Sequence, residues 1–308
     1  MRHQFSLSTS WNISRYENIE DFLRELEDMD FDKIEVNYEV SQRFVDDIAP
    51  YVERGRVKVT SVHNICPTPK GYKNLDSTLA LSHTNEETRK LAVSLSKNTL
   101  DIAHRFNAKA VVLHTGEVGG IFQLNDALRD MLSKGEARTV RFSEIRNKII
   151  QERKERSLPY IMAAEKSICE LSDYICEKGY DVKLGLENRD RYHQIPVREE
   201  YDLWFDKLKQ YPIGLWYDIG HGEVHNNILS ESCIPLLEKY KERLLGFHIH
   251  DTDGINDHYA PGMKKTRFEL LKDYLNLEVI KVLELKPFVS KQDVCNGVEF
   301  LKKKLSNP

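Results

Sequence analysis

The chain has few cysteines, and none are paired in sequence. Cys66, Cys169, Cys176, Cys233 and Cys295 are scattered and odd in number, and no CxxC occurs. A structural thiolate zinc clasp is therefore excluded, and reduced thiols in a cytoplasmic protein are expected. No apolar run approaches 18 residues, so no segment reads as a membrane span. The opening MRHQFSLSTSWNIS has no apolar signal core and reads as strand then loop. No GxGxxG follows a strand-like run, which removes the dinucleotide-binding fingerprint. Excess positive charge is also missing: 45 Lys and Arg stand against 49 Asp and Glu, a net charge of −4. Such a balance gives no overall field to attract nucleic acid, so a small-molecule partner is expected instead.

What the chain does have is alternation. Short β-rich runs are seen at 4–9, 33–38, 57–63, 108–114, 181–187, 212–218, 243–250 and 278–284. Between them lie helical patterns. In NIEDFLRELEDM (18–29), Ile19, Phe22, Leu23 and Leu26 recur at helical spacing, and 85–107 reads as a long amphipathic helix. Eight β-then-α units predict an α/β fold with parallel strands, closed as a (β/α)₈ TIM barrel. An open doubly wound sheet is the alternative. The segment 118–157 breaks the rhythm. It is polar and mildly basic, and it reads as a charged helical insertion after strand four that could form a lid. With 308 residues, 40% of them hydrophobic, one core suffices, and a single domain over 1–308 is expected.

The unusual residues fall at strand ends. His63, His114, Glu187, Asp218, the pair His248 and His250, and Glu284 close six of the eight runs. In a barrel those ends share one face, so their side chains would converge. A lone strand-end carboxylate would be a loop cap or a surface charge; six such ends argue for a divalent-metal site. Imidazoles with carboxylates suit Zn²⁺, Mn²⁺, Co²⁺ or Fe²⁺. WYDIGHGEVH (216–225) adds His221, three residues after Asp218, with Gly220 giving a tight turn. The bland alternative makes Asp218 a helix cap and His221 solvent-facing. His225 lies further on and is a weak ligand candidate.

At these residues the sequence resembles the xylose isomerase-like TIM barrels. That superfamily includes sugar-phosphate isomerases and epimerases, ketose 3-epimerases and the endonuclease IV group. The matching pieces are SVHNI, AKAVVLHTGEV, LGLENR, GLWYDIGH, GFHIHD, DHYAPG and VLELKP, in order from about 57 to 287. For the isomerases and epimerases, the resemblance implies one divalent ion (Mn, Zn, Co or Mg) on Glu187, Asp218, His248 and Glu284. Glu187 and Glu284 would also be the acid/base pair, and His221 would bind a substrate oxygen. His250 takes a variable position, to contact substrate or support a ligand, and Asp251 would orient a ligand or the following loop. The sequence departs from the ketose 3-epimerases by having no arginine in TDGINDHYAPG. For the endonuclease IV group, the resemblance implies up to three zinc ions, with His63, His114, His221 and His258 as further ligands. The remaining aspartate of that set falls on Asn256, with Asp257 one place off.

Two enzyme classes follow. The first is a metal-dependent isomerase or epimerase of a small sugar, polyol or sugar phosphate, with Arg189 and Lys286 holding a hydroxyl, carboxylate or phosphate. Their alternative role is a salt bridge at the barrel rim. The second is a zinc phosphodiesterase acting on abasic DNA, which would need the insertion as a DNA surface. An inosose-type dehydratase or lyase shares the first enzyme's opening proton abstraction. A non-catalytic sugar-binding barrel fits the ligand set poorly. The resemblance is compatible with a homo-oligomer, but no interface is readable.

Overall fold

The computed structural model describes residues 4–72, 75–232 and 234–306. Eight parallel strands close into a barrel: β1 Ser6–Ser8, β2 Lys33–Val36, β3 Lys58–His63, β4 Ala110–Leu113, β5 Lys183–Glu187, β6 Ile213–Asp218, β7 Leu244–Ile249 and β8 Ile280–Leu283. Every expected strand is present, each a residue or more shorter than its apolar run. Neighbours in sequence are neighbours in space, and β8 returns to β1 through Ser6↔Val282 and Leu7↔Leu283. The open-sheet alternative is thereby removed.

The crossover helices start where short polar side chains can cap them. Asn18, Ser41, Asn85 and Thr139 accept the backbone N–H groups of Asp21, Phe44, Thr88 and Phe142. Helix Leu158–Lys178 stops at Gly179, whose φ of 65° is left-handed. The main core lies between helices and barrel. A second cluster fills the barrel itself: Ala110 and Val112 of β4, Trp216 of β6 and Val282 of β8. These come from alternate strands, as in a layered barrel interior. Gly185 and Gly246 leave room for the Trp216 ring, since a Cβ at either would lie 3.1 or 2.6 Å from it. The indole closes the barrel beneath the strand ends.

The 118–157 segment carries two helices, Phe122–Ser133 and Val140–Arg156. They are fastened to the strand-end face. Arg153 is buried, pairs with Glu200 at 2.7 Å and donates to the carbonyls of Tyr192 and Gln194. Arg129 pairs with Asp190 and donates to the Ile255 carbonyl. Two small antiparallel ribbons also decorate that face, Gly116–Glu117 with Gln194–Ile195 and Asp251–Asp253 with Asn256–Tyr259. Cys66, Cys169, Cys176 and Cys295 are free thiols; Cys233 lies outside the described residues. Among the described residues no helix is long and apolar enough to cross a membrane.

Candidate metal centre

Glu187 ends β5, Asp218 ends β6, His248 is the penultimate residue of β7, and Glu284 directly follows β8. Register aligns them: Asp218 lies opposite His248, and Val282 opposite His248 on the other side. One ligand atom from each of the four lies within 4.8 Å of the others. All four are buried, Glu284 most exposed at 6%. His248 Nδ1 faces the carboxylates, at 2.6 Å from Glu187 Oε1, 3.2 Å from Glu284 Oε2 and 3.7 Å from Asp218 Oδ2.

Three carboxylates in a dry pocket need compensating charge. Burial opposes ionisation at each. Arg189, His114 and His248 nonetheless hold Glu187 well below the usual carboxylate range. His248, His258 and His63 do the same for Glu284, and His221 and His250 lower Asp218. Burial likewise opposes charge on His248, but Glu284, Glu35 and Glu187 drive its affinity for a proton well up. This is a ligand set kept ionised around one nitrogen. A divalent cation would replace the proton at His248 Nδ1, and a set of three carboxylates and one imidazole, without thiolate, suits Mn, Zn, Co or Mg.

The other face of His248 shows a residue that strand-end reasoning misses. Its Nε2 lies 3.0 and 3.1 Å from the two carboxylate oxygens of Glu35, on β2. Glu35 is fully buried and accepts from Ser61 Oγ at 2.8 Å. A carboxylate behind a ligating imidazole fixes its tautomer and raises its basicity. The signal was an acidic residue inside the apolar run KIEV. Glu35→Gln should weaken divalent-ion affinity roughly 10–100-fold while the barrel stays folded. Isothermal titration with Mn²⁺ checks this, and unchanged affinity would remove Glu35 from the site.

His250 and Asp251 have defined partners. His250 Nδ1 accepts the backbone N–H of His258, and its Nε2 lies 2.9 Å from Asp218 Oδ1. The ring therefore carries its proton on Nε2 and orients Asp218. Asp251 accepts from the backbone of Thr252, Gly262, Lys264 and Thr266 and so shapes the loop. Asp218 is buried and also accepts from the His221 N–H at 2.7 Å, capping helix Ile219–Leu229. It thus caps the helix through Oδ1 while Oδ2 faces His248 Nδ1 at 3.7 Å. His221 itself is buried rather than solvent-facing; its Nδ1 donates to the Asn188 carbonyl, leaving Nε2 for another partner. His258 enters the cluster with a left-handed φ of 62°. Its Nε2 is 3.4 Å from Glu284 Oε2, and its Nδ1 is 2.8 Å from Asp257. Asp257, not Asn256, is the buried residue of that pair; Asn256 is exposed on the outer ribbon. His225 lies apart, packed against the Tyr192 ring.

His63 stacks on His248 with ring centroids 5.7 Å apart, and burial and His114 push its pKa down to about 4. His114 Nε2 is 2.6 Å from Glu187 Oε2, and its Nδ1 is 3.1 Å from Asp76. Beside this centre opens a cleft of about 790 Å³, lined by Tyr38, Tyr72 and Phe122 and by Arg189, Arg191 and His193 among others. Arg189 is already paired with Glu187 and Asp76, and Arg191 with Asp126, while His193 Nε2 lies 3.3 Å from Glu117. Lys286, nearby, pairs with Asp257 at 2.7 Å. Arg189 and Lys286 are thus engaged in ion pairs within the protein.

Residues 23–278 match the family described as xylose isomerase-like TIM barrel. The chain belongs to that family. An uncharacterized protein of Methanocaldococcus jannaschii is 24% identical over 209 residues, 67% of this chain and 66% of that protein, so the match spans just under two thirds of that relative. A crystal structure of a D-tagatose 3-epimerase-like protein is similar with a TM-score of 0.65 and 17% identity, covering 98% of this chain and 97% of the other. The IOLI protein with a bound zinc atom gives a TM-score of 0.65 and 15% identity, covering 98% and 96%.

Proposed function

We propose that the chain is a divalent-metal-dependent isomerase or epimerase of a small sugar or polyol. The observation that carries this is the convergence of Glu187 and Glu284, from β5 and β8, with Asp218 and His248 on one buried centre beside a cleft large enough for a sugar. The epimerase-like and zinc-bound structures of the same fold support the reading.

When bound, the ion would polarise the substrate carbonyl as a Lewis acid. The chain's own residues do the rest. One of Glu187 and Glu284 takes the proton from the carbon beside the carbonyl, and the other returns a proton to it. The surrounding cations favour the carboxylate form, which suits the base; its partner takes up a proton from solvent, which it then delivers to the carbon. His221 Nε2 is available to accept from a substrate hydroxyl. The aromatic rings of Tyr38, Tyr72 and Phe122 offer apolar surface for a sugar face. Since the cleft's cationic side chains are already paired, a phosphate would have to break an existing ion pair. An uncharged sugar or polyol is therefore favoured over a sugar phosphate.

The same first step would serve an inosose-type dehydratase. The histidines around the tetrad keep the zinc phosphodiesterase as the second reading. Metal analysis of protein purified without chelators, followed by reconstitution with Mn²⁺, Zn²⁺, Co²⁺ or Mg²⁺, separates these readings. About one ion per chain and turnover of free ketoses over their phosphates is the expected result. Failure to hold any ion after reconstitution would sink the proposal. Nearly three zinc ions with cleavage of abasic DNA would replace it.

A further inference from the structure

We infer that the guanidinium of Arg189 is a built-in cation standing where a second metal ion would otherwise bind at Glu187, so that this carboxylate serves a single ion. The inference rests on the proposed metal-dependent function. Its starting point is the division of labour at Glu187. Oε1 faces His248 Nδ1 and the tetrad, while Oε2 faces away, 2.6 Å from His114 Nε2. A second ligand group, His63, Glu187 and His248, also has its donor atoms within 4.8 Å of one another, and the His63 and His114 rings lie 4.5 Å apart. Glu187 Oε2 and His114 Nε2 thus face one point beside the His63 ring, where another dication could bind.

That point is already taken. Arg189 Nη1 lies 2.5 Å from Glu187 Oε2 and in close contact with His114 Nε2. Its Nη2 reaches Asp76 Oδ2 at 3.3 Å. Asp76 is in turn held by His114 Nδ1 at 3.1 Å and by Gln194 Nε2 at 2.8 Å. The Arg189 side chain is only 8% exposed, so it does not swing freely into the cleft. A zinc ion needs its nitrogen and oxygen donors at about 2.0–2.2 Å. Nη1 occupies the space between the same two donors. Ion and guanidinium exclude each other. A guanidinium does not deprotonate in proteins, so the exclusion persists across pH. It also leaves Glu187 a single free oxygen, Oε1, for the ion of the tetrad.

The test is ion stoichiometry, which does not depend on knowing the substrate. Wild type, Arg189→Met and Arg189→Gln are dialysed to saturation against Zn²⁺ and, separately, Mn²⁺. Elemental analysis gives ions per chain, and circular dichroism reports folding. One ion more is expected in the neutral variants than in wild type, with the added ion lost when His114→Ala is also made. With Mn²⁺ the added ion and that of the tetrad would share Glu187 and show a spin-coupled paramagnetic resonance spectrum, absent in wild type. The Gln variant keeps an amide donor near Asp76 and guards against misfolding of the Met variant. An equal ion count in wild type and in a folded neutral variant overturns the inference and leaves the proposed function standing. A spin-coupled Mn²⁺ pair in wild type that His114→Ala abolishes overturns it without any change at Arg189. No ion in wild type overturns the proposed function and this inference with it.

Discussion

Glu284→Gln should yield a folded barrel with essentially no turnover. The substitution keeps the side chain's shape and size, so packing after β8 is undisturbed. It removes the charge that faces His248 at 3.2 Å and His258 at 3.4 Å. Two consequences follow by separate routes. An amide is a far weaker ligand for a hard dication than a carboxylate, so metal affinity falls. It also neither takes nor returns a proton, so the acid/base contribution, about 10²–10⁴-fold, is lost even when the site is forced full with excess metal. Measuring turnover at saturating Mn²⁺ separates the two. The expected result is a turnover deficit that added metal does not repair, with an unchanged circular dichroism spectrum. Unchanged metal affinity and unchanged turnover would remove Glu284 from the site.

The barrel was legible because each strand is an apolar run broken by loop residues, and eight such runs alternating with helical periodicity leave few topologies. The candidate site was half legible for a related reason. Residues that end strands in a parallel barrel share a face, so Glu187, Asp218, His248 and Glu284 could be grouped without coordinates. Residues that meet this group from within a strand or from a distant loop carry no such marker. Glu35 sits inside KIEV, and only the inward turn of β2 shows that it backs His248. Asp76 comes from a short helix in the loop after β3, and nothing local ties it to His114. Arg189 follows Glu187 by two residues and reads equally well as a rim residue or a substrate contact. The buried carboxylate of Glu187 and the half-buried one of Asp76 turn it inward. The same applies to Asn256 and Asp257: the ribbon Asn256–Tyr259 pairs back on Asp251–Asp253, which faces Asn256 outward and buries Asp257. Strands of two to four residues have no periodicity to read, so that alternation was invisible in sequence.

Gly220→Ala tests how tightly this supporting shell is built. A Cβ at position 220 would lie 1.9 Å from His250 Cε1 and 2.2 Å from its Nδ1, far inside contact distance. Retreat is costly for the imidazole. It is fully buried, accepts the His258 N–H and orients Asp218. Backbone shift in the helix is costly too, because Asp218 caps that helix through the His221 N–H. Overpacking of this kind costs about 1–3 kcal/mol, and displaced hydrogen bonds add to it. A drop in Tm of several degrees is expected, together with weaker metal binding, since Asp218 loses its orienting partner. The diagnostic measurement is a double-mutant cycle. His250→Ala alone loses the same contacts and leaves a void where the ring stood. Adding Gly220→Ala to it then costs little, because the new methyl enters that void. Strong non-additivity in both Tm and metal affinity is therefore expected, as for residues in direct contact. Additive losses would mean that Gly220 and His250 act independently and that the close approach has no part in setting Asp218. Coupled losses would show that one missing methyl in WYDIGH keeps a metal-ligand candidate in place through a ring that directly follows the next strand.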